Sequence, residues 1–154
     1  MDRILIVGLG LIGGSYAQGL SAAGYEVGGL DSRSASVKYA LEHGFIAHGR
    51  SEVDEDYVKG FDVVVFALYP SAFVEWIAKF QHCLKSGVVI TDVTGVKRFV
   101  VDRIGRILRQ DVQFVPAHPM AGKEVYGIEN ADCTIFHGAN FIITPIDGNK
   151  PESI

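Results

Sequence analysis

The sequence predicts an α/β fold in which a doubly wound, mainly parallel sheet carries helices on both faces. Three observations predict it. Ile4 to Val7 is a short, β-branched apolar run, as a strand buried on both faces requires. Directly behind it, Gly8, Gly10 and Gly13 fall in G-x-G-x-x-G spacing, and Leu11 to Ala22 sets apolar and small residues at helical intervals. Strand-like and helix-like stretches then alternate along the chain, which is the pattern of a parallel sheet.

The glycines sit where a strand turns into a helix, the context a phosphate-binding turn needs. Gly8 permits the tight turn, Gly10 lets the backbone approach a pyrophosphate, and Gly13 lets the helix pack close to the strand. Leu11 and Ile12 open that helix, whose free N–H groups and positive end face the phosphates. Tyr25 to Asp31 reads as the next strand, ending in an acid. Asp31 follows Gly13 by 18 positions, close to the ~20 expected for a carboxylate that binds a ribose. Strand, helix, second strand and terminal acid in register make this a Rossmann-type sheet rather than a glycine turn followed by a surface Asp.

The remaining elements follow in order. Ser32 is placed to cap a helix over about Arg33–His43, stopped by Gly44. Phe45–His48 suits a short third strand. Arg50–Lys59 is the most polar stretch, a surface connection with a short helix. Phe61–Leu68 is the next buried strand, and Pro70 opens a helix over Ser71–Leu84 with Phe73, Trp76, Ile77 and Phe80 as its core-facing stripe. Gly87–Thr91 is a strand closed by Asp92. Val96–Leu108 is a helix with Val100, Ile104, Ile107 and Leu108 inward. Val112–Val115 is a further strand, Pro116–Gly122 a turn-rich loop, and Asn140–Thr144 a last strand before a polar exit. The strand order 3-2-1-4-5-6 places the first and fourth strands together at the switch point.

The bulk composition narrows the class of function. With 154 residues, 48% hydrophobic and 21% charged, the chain suits one globular domain. A net charge of −4 without a basic stripe argues against a nucleic-acid partner. No apolar run approaches the ~20 residues that span a bilayer, and the first strand begins too early for a signal peptide. Cys83 and Cys133 are too few and too far apart for a disulfide framework, and no metal-ligand spacing appears. A reducing, cytoplasmic setting is expected.

Ligands of open α/β sheets bind outside the carboxyl ends of the strands. Four sequences fall there: Gly8–Gly10, Ala67-Leu68-Tyr69-Pro70, Asp92-Val-Thr94-Gly-Val-Lys97 and His118-Pro-Met-Ala-Gly122. Ala67, Leu68 and Tyr69 join Asp31, Ser32 and Arg33 in the nucleotide-binding set, with Thr94 at its catalytic end. His118 is the catalytic candidate. An unperturbed imidazole titrates near ~6.5 and is mostly a base at neutral pH. A positioned base of this kind contributes typically ~10²–10⁴-fold to removal of a hydroxyl proton. A hydrogen-bonded structural histidine is an equal reading from spacing alone. Thr94 suits a hydrogen bond to substrate or nicotinamide. Lys97 suits attraction of a substrate carboxylate, but a solvated residue at a helix start is the favoured reading. Glu124 suits a gate, or simply an exposed loop acid.

Three stretches together, Gly8-Leu-Gly-Leu-Ile-Gly-Gly-Ser15, Asp92-Val-Thr-Gly-Val-Lys97 and His118-Pro-Met-Ala-Gly-Lys-Glu-Val-Tyr-Gly127, closely resemble the prephenate dehydrogenase family and its arogenate-using relatives. The likeness covers nearly the whole chain, 1–154, as the family's N-terminal NAD-binding domain. It implies oxidative decarboxylation of prephenate to 4-hydroxyphenylpyruvate in tyrosine synthesis. It also implies that His118 takes the ring-hydroxyl proton while hydride passes to NAD. There are two departures. The family often has D-V-G-S-V-K where Gly95 stands here, so the serine's role passes to Thr94 or is absent. The resemblance also implies a C-terminal helical domain that dimerises and reaches the substrate carboxylates, and the 154 residues are expected to stop near where it would begin. The expected behaviour is nucleotide binding with little or no turnover by the 154 residues alone.

Asp31 would accept bonds from ribose hydroxyls and repel a 2′-phosphate. Two like charges ~4 Å apart cost ~1 kcal/mol in water and ~4 kcal/mol at an intermediate dielectric. NAD is therefore expected over NADP, with Arg33 softening the preference. The competing readings are another oxidoreductase of this fold (arogenate dehydrogenase, β-hydroxyacid dehydrogenase or imine reductase) and a non-catalytic NAD sensor.

Overall fold

The computed structural model describes residues 2–154. Its elements run β1 Arg3–Val7, α1 Leu11–Ala22, β2 Glu26–Leu30, α2 Ser34–Glu42, β3 His48–Arg50, α3 Glu55–Lys59 and β4 Val63–Phe66. They continue with α4 Pro70–Phe80, β5 Val89–Asp92, α5 Lys97–Ile107, β6 Gln113–Val115, β7 Ala117–Pro119 and β8 Phe141–Ile143. Strands β1 to β6 form one sheet in the order β3-β2-β1-β4-β5-β6, every pair parallel, so β1 and β4 meet at the switch point as expected.

Because β1 alternates across the sheet, it feeds two cores. Leu5 and Val7 point into one with Phe66, Phe73, Trp76, Ile90, Ile104 and Phe114, covered by α4 and α5. Ile4 and Ile6 point into the other with Leu9, Ala17, Val37, Ile46 and Val65, covered by α1 and α2. Phe66 packs tilted against Phe73 and edge-on against Trp76, with centroids 4.6 and 4.9 Å apart. The cover on the second face reaches from β3 to Val65 of β4. Over β4–β6 that face carries an open groove of about 380 Å³ lined by Val63, Val89, Thr91, Val115, Phe141 and Ile143. No helix among the described residues is long and apolar enough to cross a membrane.

Several elements differ from the sequence reading, each for a local reason. Ser32 does not cap the second helix. Asp31 Oδ1 accepts the Arg33 N–H at 2.8 Å, and the helix starts at Ser34. The third strand is His48–Arg50 rather than 45–48, because Phe45 and Ile46 turn inward as core anchors after Gly44 reverses the chain at φ +69°. Ile107 is exposed, so the stripe of α5 is narrower than its spacing suggests. The 116–122 loop contains a strand: Pro116 has no N–H to continue the main ladder, and β7 pairs antiparallel with β8 instead. The last strand is therefore not part of the main sheet.

Candidate active site

The glycine turn forms as its sequence demands. Gly8 sits at φ +95°, and a Cβ there would lie 2.4 Å from the Ala67 carbonyl oxygen. A Cβ on Gly13 would lie 1.8 Å from the Gly8 oxygen, so the first turn of α1 rests directly on the strand exit. A Cβ on Gly10 would meet nothing within 4 Å, which leaves that backbone open to a ligand. Helix geometry leaves the N–H groups of Leu11, Ile12 and Gly13 without intrahelical acceptors. No acid stands in that first turn to compete with an anion.

Asp31, at the end of β2, closes the turn. Its Oδ2 accepts the Leu9 N–H at 2.7 Å, and its Oδ1 lies 3.7 Å from the Arg33 guanidinium. Each oxygen keeps a lone pair for a further donor. Beside it opens a cavity of about 450 Å³, with Leu30, Val53, Leu68, Trp76 and Phe80 as apolar walls and Asp31, Ser32 and Lys79 at its edge. Apolar walls with carboxylates among the lining suit a flat apolar ring that carries hydroxyl groups. Ala67 packs against the glycine turn, whereas Tyr69 is 75% exposed on the rim.

The second cluster lies at the carboxyl ends of β5 and β6 and is built around Asp92, whose partners spacing alone did not show. Asp92 is fully buried. Its Oδ2 accepts the Thr94 N–H at 3.1 Å, the Thr94 hydroxyl at 2.5 Å and the Lys97 ammonium at 2.5 Å. Its Oδ1 accepts the Ala117 N–H at 3.1 Å. Lys97 is therefore not the solvated residue expected at a helix start: its side chain is only 16% exposed. Burial pulls the Lys97 pKa below its ordinary value, against the opposing pull of Asp92. Thr94 is buried, with its hydroxyl proton committed to Asp92.

His118 lies on β7, half-buried, beside this cluster. Its Nδ1 is 3.0 Å from the Val93 carbonyl oxygen. A carbonyl only accepts, so Nδ1 carries the proton in this contact, and the neutral form of the ring presents a bare Nε2. A Cβ on Gly95 would lie 3.6 Å from that Nε2. A side chain at position 95 would therefore stand in contact with the ring, and Gly95 puts none there. Glu124 is exposed nearby in sequence, on the 121–127 stretch.

A further link joins the two clusters and was not legible in the sequence. Downstream of His118, residues 128–136 return across α1. Asp132 N–H donates to Ser15 Oγ at 2.9 Å, Cys133 N–H donates to Gln18 Oε1 at 2.6 Å, and Phe136 packs edge-on against Tyr16. Gly14 is the contact point: a Cβ there would lie 2.8 Å from Ala131 and 2.9 Å from Ile128. Burial, with Asp92 adding to it, pushes the Tyr16 phenol far above its ordinary pKa. The Glu55, His82 and Cys83 side chains also converge, but Glu55 is paired with Lys59 and the group lies on α3 and the 81–83 turn, away from the rim.

The profile of the family described as "Prephenate dehydrogenase, nucleotide-binding domain" matches residues 16–154. Prephenate dehydrogenase of Lactococcus lactis is 35% identical over 151 residues, covering 94% of this chain and 41% of that protein. The crystal structure of Synechocystis arogenate dehydrogenase superposes with a TM-score of 0.89 at 25% identity, over 97% of this chain and 52% of that one. Prephenate dehydrogenase from Aquifex aeolicus, solved with hydroxyphenyl propionate and NAD+, superposes with a TM-score of 0.86 at 29% identity, over 99% and 54%. The chain thus spans about two-fifths of the length of that curated relative.

Proposed function

The chain belongs to the prephenate dehydrogenase family as its nucleotide-binding domain, and from that premise we propose that it serves NAD-dependent oxidative decarboxylation of prephenate. The observation that carries the reading is the His118 ring: Nδ1 is tied to Val93 and Nε2 is free on the rim that carries the glycine turn. Leu11, Ile12 and Gly13 would hold the diphosphate with their N–H groups, and Asp31 would hold the adenosine ribose. Ser32, Arg33, Ala67, Leu68 and Tyr69 frame that nucleotide. Bound there, NAD supplies the hydride acceptor. His118 Nε2 takes the substrate hydroxyl proton, Gly95 leaves room for that hydroxyl, and Thr94 and Lys97 shape the floor beneath it. Glu124 stands as the gating residue.

Substrate carboxylates are then held by a C-terminal helical domain, through which the protein dimerises. The open groove over β4–β6, with apolar walls from Val63, Val89, Val115 and Phe141 and with Asp62 and Glu152 also lining it, is a face such a domain would cover. A cytoplasmic setting goes with this reading, and the two free cysteines suit it. Arogenate is the second substrate to test, because the Synechocystis enzyme superposes so well.

Fluorescence titration of the 154-residue chain is expected to show tighter NADH than NADPH binding, since Asp31 disfavours a 2′-phosphate by ~1–4 kcal/mol. Equal affinities would remove Asp31 from cofactor choice. In the protein carrying its C-terminal domain, prephenate is expected to drive NADH formation. Absence of turnover with both prephenate and arogenate would refute the enzymatic reading.

A further inference from the structure

The unusual feature of the catalytic rim is a fully buried carboxylate whose hydrogen bonds go to the segments around the imidazole and not to the ring itself. We propose that Asp92 is the positioning residue for His118: its two oxygens fasten the two backbone segments that meet at the ring, and so fix the ring's tautomer and direction. The proposal rests on the assignment of His118 as the base.

The contacts form a closed circuit. Asp92 Oδ1 accepts the N–H of Ala117, the residue before His118, at 3.1 Å. Asp92 Oδ2 accepts the N–H of Thr94, the residue after Val93, at 3.1 Å. Between the two, His118 Nδ1 donates to the Val93 carbonyl oxygen at 3.0 Å. The circuit therefore runs from Asp92 through Val93 to the imidazole and back through Ala117. Rotation of the Val93 peptide would remove the acceptor that keeps the proton on Nδ1. Asp92 opposes this by accepting the Thr94 N–H, which belongs to the same planar peptide as the Val93 carbonyl.

The chemistry of the group explains why a carboxylate stands there. Four donors converge on it: two backbone N–H groups, the Thr94 hydroxyl and the Lys97 ammonium. An ionised carboxylate offers acceptors on both oxygens, whereas an amide offers one accepting atom and two protons. Asparagine at position 92 can thus satisfy one segment, but it turns a donor toward the N–H of the other. A buried anion is costly unless paired and fully hydrogen-bonded. Lys97, the first residue of α5, supplies the counter-charge, and the Thr94 hydroxyl is a third donor on the same oxygen. No buried side-chain polar atom among the described residues is left without a partner. The nucleotide-binding turn shares none of these contacts, so the two parts of the site are separable.

The test is Asp92→Asn in the chain labelled with ¹⁵N-histidine. In the wild type at alkaline pH, His118 is expected to show a protonated-type Nδ1 and a bare-type Nε2 signal. In the variant the two signals are expected to move toward each other as tautomers mix, while NADH affinity stays within about twofold because the turn is untouched. In the protein carrying its C-terminal domain, kcat is expected to fall by about 10- to 10²-fold with KM for NAD little changed, as misplacement of a catalytic group does. Thr94→Val, which keeps both backbone clamps, is expected to leave the ring signals in place. Unchanged ring signals in Asp92→Asn, or a kcat within about threefold of wild type, would overturn the proposal. If Asp92→Asn does not fold, the wild-type spectrum still decides, because a proton on Nε2 would overturn it. A wild type inert toward prephenate and arogenate would sink the enzymatic reading while the ring-signal test on Asp92 stands.

Discussion

The glycine turn after β1 and the rim after β5 lie on the same edge of one sheet, yet they are built by opposite means. The turn works with backbone. Its chemistry is carried by N–H groups that helix geometry leaves free, and its side chains are mostly absent so that main chain can approach main chain. The rim works with side chains. Asp92, Thr94, Lys97 and His118 come from two stretches about 25 residues apart, joined through a buried carboxylate. A backbone site is damaged by adding atoms. A side-chain site is damaged by removing or neutralising them.

Three experiments break or sharpen that contrast. The largest effect is expected from His118→Asn. Turnover in the protein carrying its C-terminal domain should fall by about 10²–10⁴-fold, the worth of a positioned base, with NADH affinity unchanged. Comparable rates would remove His118 from the chemistry. Gly13→Ala should do the reverse. Its Cβ would lie 1.8 Å from the Gly8 carbonyl oxygen, and neither backbone segment can move cheaply. Overpacking of about 1–3 kcal/mol should appear as about 10- to 10²-fold weaker NADH binding in titration. An unaltered NADH affinity would show that close packing of α1 on the turn is dispensable.

The smallest effect concerns the strap that joins the two regions. The Thr134 hydroxyl, then Lys123, holds the Asp132 carboxyl down at about 2. A carboxyl depressed in the folded state adds stability above its ordinary value, near ~3.9. That stability is lost as the pH falls through the folded value. Melting temperature should therefore drop more steeply for wild type than for Asp132→Asn between about pH 4 and pH 2. Because Asp132 is exposed, the difference should be slight at neutral pH. Parallel melting curves over the acid range would show that the strap draws nothing from this charge.

The two regions also differ in how far the sequence discloses them. The strand Arg3–Val7, the helix Leu11–Ala22 and the acid at position 31 are legible because their determinants are local: an apolar run, a glycine spacing and a helical period within about 30 residues. The strand order follows as well, since handed crossovers leave few ways to wind such a chain. The sequence also marks His118 and the 92–97 stretch as chemically unusual.

It does not disclose that Asp92 ties them together, that Lys97 is drawn out of water, or that residues 128–136 return to grip α1 at Gly14. Nor does it show that the strand carrying His118 leaves the main sheet at Pro116 to pair with Phe141–Ile143. Those outcomes depend on which donors meet which acceptors once distant segments are packed, and no periodicity records that. The turn is therefore determined by sequence, because steric freedom at a glycine is a property of one residue. The environment of the imidazole is decided only by the tertiary structure, because a buried charge must find its partners wherever the fold delivers them.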